Sequence, residues 1–132
     1  VVLEEGVEEL AGYNEFISGQ QYYTFQHCIS LTDITLPSTL KKIGLKSFEG
    51  CMSLKKIVIP ENVSKIVGQA FLNCPLEEVY YRGTEEEWAN IEIIEFNNET
   101  LLSAERYYYS ETEPTEEGNY WHYVDGVPTK WA

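Results

Sequence analysis

Apolar residues recur along the chain with a spacing of 23 residues. A period of this size indicates an architecture of stacked repeats, in which each repeat buries its apolar residues against its neighbours. The chain is therefore predicted to be a repeat protein rather than one globular core. Two columns of residues show the spacing best: Phe25, Phe48 and Phe71, and Cys28, Cys51 and Cys74.

Each repeat also predicts one short β-strand. Apolar residues alternate with other residues, as in a half-buried strand, and the proline that follows ends the strand because it has no N–H donor. The chain opens on an incomplete repeat, whose outer face would be uncovered. We therefore expect either further repeats before it or another molecule packed against this first repeat, or rung, and a second copy of the chain could be that molecule through end-to-end self-association. The alternating pairs are Ile34 and Leu36, Ile57 and Ile59, and, less completely, Val1 and Leu3, and Val79 and Tyr81.

An insertion at residues 11–24 interrupts the spacing between the first and second repeats. Insertions in stacked-repeat proteins often lie on the binding face. The aromatic residues of this insertion, Tyr22 and Tyr23 among them, are therefore candidates for contacts with a partner. The alternative is that they fold back and shield the first rung.

The period stops after Tyr81, and the rest of the chain predicts two further units. Residues 83–110 are predicted to form an α+β cap that begins with a short helix over residues 85–90, because a capping box precedes that helix. Residues 111–132 begin with a polar, acidic linker. They end with aromatic residues on both sides of an Asp-Gly pair, which is a strong signal for a β-hairpin.

The net charge of −13 is concentrated at the two ends of the chain. Residues 1–24 carry −5, residues 25–82 carry +2 and residues 83–132 carry −10. Nucleic acids and anionic membranes are polyanions, so this charge argues against both as partners. No apolar run approaches the ~20 residues that a membrane-spanning helix needs, so no membrane insertion is expected.

The sequence offers little catalytic or metal-binding chemistry. Metal-binding cysteines usually come as close pairs, whereas these three are 23 residues apart and are expected to stack as reduced, buried thiols. His27 and His122 lack an evident catalytic partner. No pair of glutamates lies in an apolar run, where burial could raise the pKa of a catalytic carboxyl. The sequence therefore predicts a protein that is not an enzyme and that uses no metal or cofactor.

Two sets of residues are candidates for ligand binding. Strand residues that alternate with the buried ones point to the concave face of the stack, which such proteins use for partners, or they form an ordinary strand surface. The aromatic residues of the hairpin either stack on the sugar rings of a glycan or pack on the cap. The concave candidates are Asp33, Thr35, Lys56, Val58, Glu78 and Tyr80, and the hairpin candidates are Trp121, Tyr123 and Trp131.

The two complete repeats share the motif L-x-x-I-x-[IL]-P-x-x-[VL]-x-x-I-x4-F-x-x-C. This motif resembles the BspA-like leucine-rich repeats of bacterial surface proteins, and the resemblance covers about residues 1–81. Repeats of that family usually read I-G-x-x-A-F before the cysteine. Here no alanine precedes Phe48, and Val67 separates Ile66 from Gly68, so the turns are expected to differ slightly between rungs.

The resemblance implies a leucine-rich-repeat solenoid of the α/β type, with one short parallel strand per repeat of about 23 residues. Residues 1–82 would form the repeats, residues 83–110 the C-terminal α+β cap, and residues 111–132 the linker and β-hairpin. It also implies an extracellular or cell-surface protein whose non-enzymatic module binds a protein or a glycan in adhesion or host contact. The alternative is a structural spacer or a cell-wall-anchoring end of a longer protein.

Overall fold

The computed structural model describes the backbone of residues 1–10, 12–15 and 20–132, and the side chains of residues 1–10 and 24–132. Its helices and strands are short. In chain order they are β1 (Glu9–Leu10), β2 (Gly12–Glu15), β3 (Gln20–Tyr23), β4 (Lys42–Ile43), β5 (Lys56–Ile59), β6 (Lys65–Ile66), β7 (Glu78–Tyr81), α1 (Glu85–Ala89), β8 (Glu92–Ile93), α2 (Glu99–Ser103), β9 (Glu105–Tyr109), β10 (Tyr120–Val124) and β11 (Val127–Lys130).

Two parallel ladders run along the stack. The short ladder has the strand order β1-β4-β6-β8, and the long ladder contains β5, β7 and β9, followed by β10 and β11. Lys42 pairs with Lys65 in the short ladder, 23 residues later, and Lys56 pairs with Glu78 in the long ladder, 22 residues later. The strands of the short ladder are additional to the one strand per repeat that the sequence predicts. They were not predicted because a two-residue strand is too short to leave an alternating pattern.

The strand predicted at Ile34 and Leu36 does not form. Thr35 makes an isolated parallel bridge to Val2, but within the described residues it makes no bridge to β5. A β-strand needs regular backbone pairing over several successive residues, and here only one residue is paired. Both apolar side chains are nevertheless buried. The alternation in the sequence therefore predicts their burial correctly but not the pairing of their backbone.

The interior of the repeats is built of columns. The rings of Phe25 and Phe48 stack with centroids 5.5 Å apart, and those of Phe48 and Phe71 stack at 5.2 Å. The backbone repeats the same step, because the Phe48 N–H donates to the Ala70 carbonyl at 2.8 Å. Each residue of a column thus packs on its equivalent one repeat away, so neighbouring repeats share one core.

Both ladders continue beyond Tyr81, where the sequence period stops. β8 pairs with β6 and β9 pairs with β7, each 27 residues after its partner. The helices α1 and α2 occupy the extra length of this turn, and α1 begins with the expected capping box, in which the Glu87 N–H donates to Thr84 Oγ1. Residues 83–109 therefore stack on the repeats as one more rung with a different internal sequence.

At this rung Asn98 continues the backbone hydrogen bonding of the phenylalanine column. Its side-chain oxygen accepts a hydrogen bond from the Phe71 N–H at 3.0 Å. The equivalent N–H of Phe48 donates instead to a backbone carbonyl, that of Ala70. Its amide nitrogen donates to the carbonyls of Val67 and Ile94, both at 2.8 Å. The side chain is fully buried, so this one residue bonds to three backbone groups in the interior, and one of them, the Phe71 N–H, is the donor that a further repeat would otherwise have paired.

The two hairpins differ in what the structure describes of them. The insertion forms an antiparallel pair of β2 and β3, and the side chains of the predicted contact residues Tyr22 and Tyr23 lie outside the described residues. The C-terminal hairpin turns at Asp125 and Gly126, which both have positive φ, as a two-residue turn of this type requires. No helix in the described part of the chain is long and apolar enough to cross a membrane.

Candidate ligand groove

A cavity of about 290 Å³ lies between the long ladder and the C-terminal hairpin. Five of the six predicted concave-face residues line one side of it. The hairpin forms the other side with Tyr123, Gly126, Val127 and Pro128. We call this cavity the hairpin groove. Its ladder side is lined by Asp33, Thr35, Lys56, Val58 and Tyr80.

The floor of the hairpin groove is backbone. Ile34, Leu36 and Ile57 also line it, although their side chains are in the core and at most 8% of each residue is exposed. Because their side chains point away, these residues meet the groove through main-chain atoms. The groove therefore offers peptide N–H and C=O groups as well as side chains.

The sequence placed Trp121 among the candidates for sugar stacking, and the structure places it in the core. The indole is fully buried, and its Nε1–H donates to the Tyr81 carbonyl at 2.7 Å. Its ring meets the rings of Tyr80 and Tyr109 edge-on, at 5.6 and 5.2 Å. Trp121 therefore anchors the hairpin to the ladder, as in the alternative that the aromatic residues pack on the body of the protein.

Trp131 and Tyr123 have different surroundings. The indole N–H of Trp131 donates to the Ser110 carbonyl at 2.8 Å, and its ring stacks on His122 with centroids 3.7 Å apart, away from the groove. Tyr123 lines the groove and is 39% exposed. Its ring packs edge-on against Trp121 at 4.9 Å, with the guanidinium of Arg82 5.5 Å from the ring centre. Of these three aromatic residues, Tyr123 is the one that faces the groove.

Glu78 is the predicted concave residue that does not line the groove, because the hairpin engages it. Lys130 Nζ lies 2.9 Å from its carboxylate, and the Tyr80 hydroxyl donates to the same carboxylate at 2.6 Å. Burial acts to raise the pKa of Glu78, but the hydrogen bonds from Tyr80 and Lys130 outweigh it and lower that pKa below its usual value. Burial and the bond to Glu78 raise the pKa of Tyr80. We call the Lys130–Glu78 pair the hairpin latch.

Two ionisable side chains of the groove have no such partner. Asp33 and Lys56 both line it, and neither makes an ion pair or a side-chain hydrogen bond with any residue that the structure describes. They are equivalent positions of successive repeats, 23 residues apart. The groove therefore carries one negative and one positive charge without a close ion-pair partner, although Lys56 is near enough to Glu78 to help lower the pKa of that carboxyl.

The cysteines lie elsewhere: Cys51 and Cys74 are buried in the core, and Cys28 is partly buried and packs against it. The Cys51 thiol donates to the Phe25 carbonyl at 3.1 Å, and all three cysteines are free thiols. Burial raises the pKa of Cys51 from 9.0 to about 11 and that of Cys74 from 9.0 to about 12, so both stay protonated near neutral pH. Among the described residues, no group of three His, Cys, Asp or Glu side chains is placed to hold a metal ion.

On the hairpin side, sequence reasoning missed three groove residues, Gly126, Val127 and Pro128. The Asp-Gly signal predicts that a hairpin forms here, but it carries no information on where the tip of the hairpin lies. That position depends on the buried anchor Trp121 and on the latch, which are contacts between distant parts of the chain. One weak indication in the sequence that the hairpin folds onto the rest of the protein is its composition, because a hairpin rich in aromatic residues needs a surface on which to pack.

Comparison with known proteins places the chain in a family. A family model described as BspA type leucine rich repeat region, in six copies, matches residues 18–105. The crystal structure of a leucine rich cell surface protein from Faecalibacterium prausnitzii is similar at 26% sequence identity and a TM-score of 0.43, covering 51% of this chain and 24% of that one.

The chain thus spans about a quarter of the length of that protein, and no curated protein matches it. The match to the family model covers well over half of the chain. It also includes both complete copies of the repeat motif. This chain belongs to the BspA-type leucine-rich-repeat family.

Proposed function

We propose that this chain is a non-enzymatic binding module of a bacterial cell-surface or secreted protein, and that it receives a protein or glycan ligand in the hairpin groove. Family membership supports the surface role, since the family resemblance implies adhesion or host contact. The groove supports binding because it is concave, is partly apolar and carries a few polar groups, as ligand sites generally do.

One observation carries this proposal. The C-terminal hairpin folds over the ladder so that residues far apart in sequence, from Asp33 to Pro128, line a single cavity. An ordinary strand surface would be open along its whole length. The hairpin instead covers the ladder face at Glu78 and Tyr80 and leaves a bounded opening beside Thr35 and Val58.

The side chains around the groove favour recognition over catalysis. A nucleophile needs a base within hydrogen-bond reach, and the groove residues include no Ser, Cys or His. Its one threonine, Thr35, has only Asp33 and Lys56 as ionisable neighbours in the groove apart from tyrosine. These groups suit the binding of a ligand that carries polar and charged groups.

We also propose that the chain is a leucine-rich-repeat solenoid in which residues 83–110 and the hairpin together close the C-terminal end. The hairpin follows β9 in the long ladder, so it covers an edge that would otherwise offer unpaired backbone groups. Pro128, in the outermost strand, has no N–H to offer to a further strand. In this arrangement the same hairpin ends the stack and forms one side of the groove.

The test uses the whole chain and two matched pairs of variants. Val58→Arg puts a long charged side chain into the groove, and Val124→Arg makes the same change at an exposed residue of the hairpin outside it. Lys56→Glu reverses a charge in the groove, and Lys55→Glu reverses the charge next to it. Binding is measured on arrays of purified extracellular proteins and of oligosaccharides.

We expect Val58→Arg and Lys56→Glu to weaken binding by about tenfold or more, which corresponds to 1.4 kcal/mol, and both controls to bind like the wild type. Equal binding by all four variants would contradict the groove as the site, and no binding by the wild type to any array would favour the structural-spacer alternative. Thermal melting of each variant separates loss of binding from loss of folding.

A further inference from the structure

The long ladder has one open step, between the rung of Thr35 and strand β5. On its N-terminal side Thr35 is fully paired, since its N–H donates to the Val1 carbonyl at 2.8 Å and its carbonyl accepts from Leu3 at 3.0 Å. In an extended chain the backbone groups of neighbouring residues point in opposite directions. The Ile34 carbonyl and the Leu36 N–H therefore point away from the first rung, toward β5.

Strand β5 presents matching groups on its near edge. The carbonyls of Lys55 and Ile59 accept bonds from Glu77 and Arg82, on the β7 side, at 2.7 and 3.0 Å. By the same alternation, the N–H and carbonyl of Val58 point away from β7, toward Thr35. A regular ladder would join Val58 N–H to the Ile34 carbonyl and Leu36 N–H to the Val58 carbonyl. Within the described residues, neither bond is made.

The step is open locally, and the repeats on its two sides remain joined. Ser53 Oγ donates to the Ile29 carbonyl at 2.6 Å on one flank, and Asn62 Nδ2 donates to the Ser38 carbonyl at 2.7 Å on the other. β4 and β6 of the same repeats are paired in the short ladder. The opening is therefore confined to the stretch of ladder that forms the floor of the hairpin groove.

The unpaired groups determine what kind of ligand fits. Backbone N–H and C=O groups close to the core cost free energy unless water or a ligand bonds to them. At the open step, donors and acceptors alternate at the spacing of a strand, which is the complement of an extended polypeptide. Val58 and Val127 add apolar surface, and Asp33 and Lys56 add one charge of each sign.

A glycan fits these observations less well. Sugar recognition by a hairpin needs an aromatic face that is free to stack. Trp121 is buried and Trp131 already stacks on His122. Tyr123 is the one of the three that faces the groove, and its ring is held edge-on against Trp121 beside the Arg82 guanidinium. The groove therefore favours a main chain over a sugar ring.

We propose that the hairpin groove binds an extended peptide segment of a partner protein, whose backbone bonds to the Leu36 N–H and to the N–H and carbonyl of Val58. This inference rests on the proposed function, because it specifies the ligand class of the same groove. It adds that recognition runs through main-chain groups at the open step, with Asp33 and Lys56 selecting peptides that carry charged side chains.

The experiment begins with amide hydrogen exchange of the free protein, measured by NMR. The amides of Leu36 and Val58 should exchange much faster than that of Ile57, which lies within the paired part of β5. A phage-displayed library of linear random peptides is then selected on the protein, and an enriched peptide is synthesised and titrated. We expect this peptide to slow exchange at Leu36 and Val58 while Ile57 is unchanged.

Two groove variants with matched controls locate the binding. Thr35→Trp and Val127→Trp each fill the groove from one side, whereas Thr112→Trp and Val124→Trp add the same bulk at exposed residues outside it. The groove variants should weaken peptide binding by about tenfold or more, and the controls should not. Val127 is 60% exposed, so its variant is expected to fold even if Thr35→Trp does not.

The inference is overturned if the Leu36 and Val58 amides of the free protein are as protected as that of Ile57. It is also overturned if no peptide is enriched, or if an enriched peptide binds the groove variants like the wild type. A panel of oligosaccharides separates this failure from that of the proposed function. Sugars that bind the wild type but not the groove variants would leave the groove as the site and replace its ligand class.

Discussion

The repeats and the C-terminal segment extend the same ladders with different interiors. Between residues 25 and 81 the core consists of columns, and the rings of Phe48 and its equivalents stack nearly parallel, 7 to 13° apart. Beyond Tyr81 the rings of Trp88 and Trp121 meet their neighbours edge-on, at 72 and 76°. The first interior is made by repetition, whereas the second adds individual contacts to one further stacked pair, Tyr80 and Tyr107. Damage should therefore spread in the first and stay more local in the second.

The largest effect is expected for Phe48→Ala, in the middle of the phenylalanine column. The ring is fully buried and contacts a phenylalanine on each side. Its loss should lower the free energy of unfolding by about 3–5 kcal/mol in urea denaturation followed by circular dichroism. Phe96→Ala is the control, because that ring is 65% exposed and its loss should change stability by at most about 0.5 kcal/mol. Similar losses for both variants would contradict the column as the source of stability.

Trp121→Ala should release the hairpin and leave the repeats folded. It removes the buried indole and the hydrogen bond to the Tyr81 carbonyl. The cost is at most the roughly 3–5 kcal/mol typical of such a change, because the hairpin can undock while the rest stays native. Hydrogen exchange should become fast in β10 and β11 and stay slow in β5 and β7. Fast exchange in all four strands would mean that the repeats depend on the hairpin.

Alkaline pH should weaken the repeats first. Cys51 and Cys74 have pKa values of about 11 and about 12 in the fold, raised by burial from 9.0. Folding thus favours the protonated thiol. The stabilisation that each buried thiol gives the fold is complete below pH 9 and is lost as the pH rises toward 11 for Cys51 and 12 for Cys74. For Cys51 this loss is on the order of 3 kcal/mol. Urea denaturation at several pH values should show that the free energy of unfolding falls between pH 9 and pH 12. Cys51→Ala should make this fall smaller, and an unchanged fall would contradict the assignment to Cys51.

Acid should loosen the hairpin, with the smallest effect of the four. The pKa of Glu78 lies below 4.5 in the fold, since the hydrogen bonds from Tyr80 and Lys130 outweigh the effect of burial. The latch therefore contributes fully above pH 4.5 and is lost as pH falls through the lowered pKa. Limited proteolysis at the linker should become faster in this range. Glu78→Gln should cleave faster already at neutral pH and lose the pH dependence, and a variant that kept it would point to another carboxyl.

The repeats were predictable because their signal is repeated. Each column places the same residue type at the same spacing, so Phe48 and Cys51 could be assigned to the core from sequence alone. The turn at Asp125 and Gly126 was predictable for a different reason, since a two-residue turn with positive φ demands such residues. In both cases the determining interaction lies within a repeat length or a few residues.

The groove was less predictable because its parts meet through distant contacts. The sequence suggested Lys56 and Val58 from strand alternation, but not the hairpin tip that faces them. It also could not reveal the open step, because Ile34 and Leu36 show the same alternation as the paired strand β5. Whether such a segment pairs depends on a backbone bond to a neighbour, and no side-chain pattern records that bond. Asn98 was missed likewise, since a buried asparagine among exposed polar residues leaves no periodic trace.

The connection between β9 and β10 has a consequence for the order of folding. These strands pair in parallel, so the chain must travel through residues 110–119 before β10 can reach its partner. The β10–β11 hairpin needs only its two-residue turn, and hairpins of this kind form in about 1–10 μs. We therefore expect the hairpin to form early and to dock late, once the β7–β9 pair offers it an edge. Burial of Trp121 would then be the final event of refolding, and the groove would exist only after the stack behind it is complete.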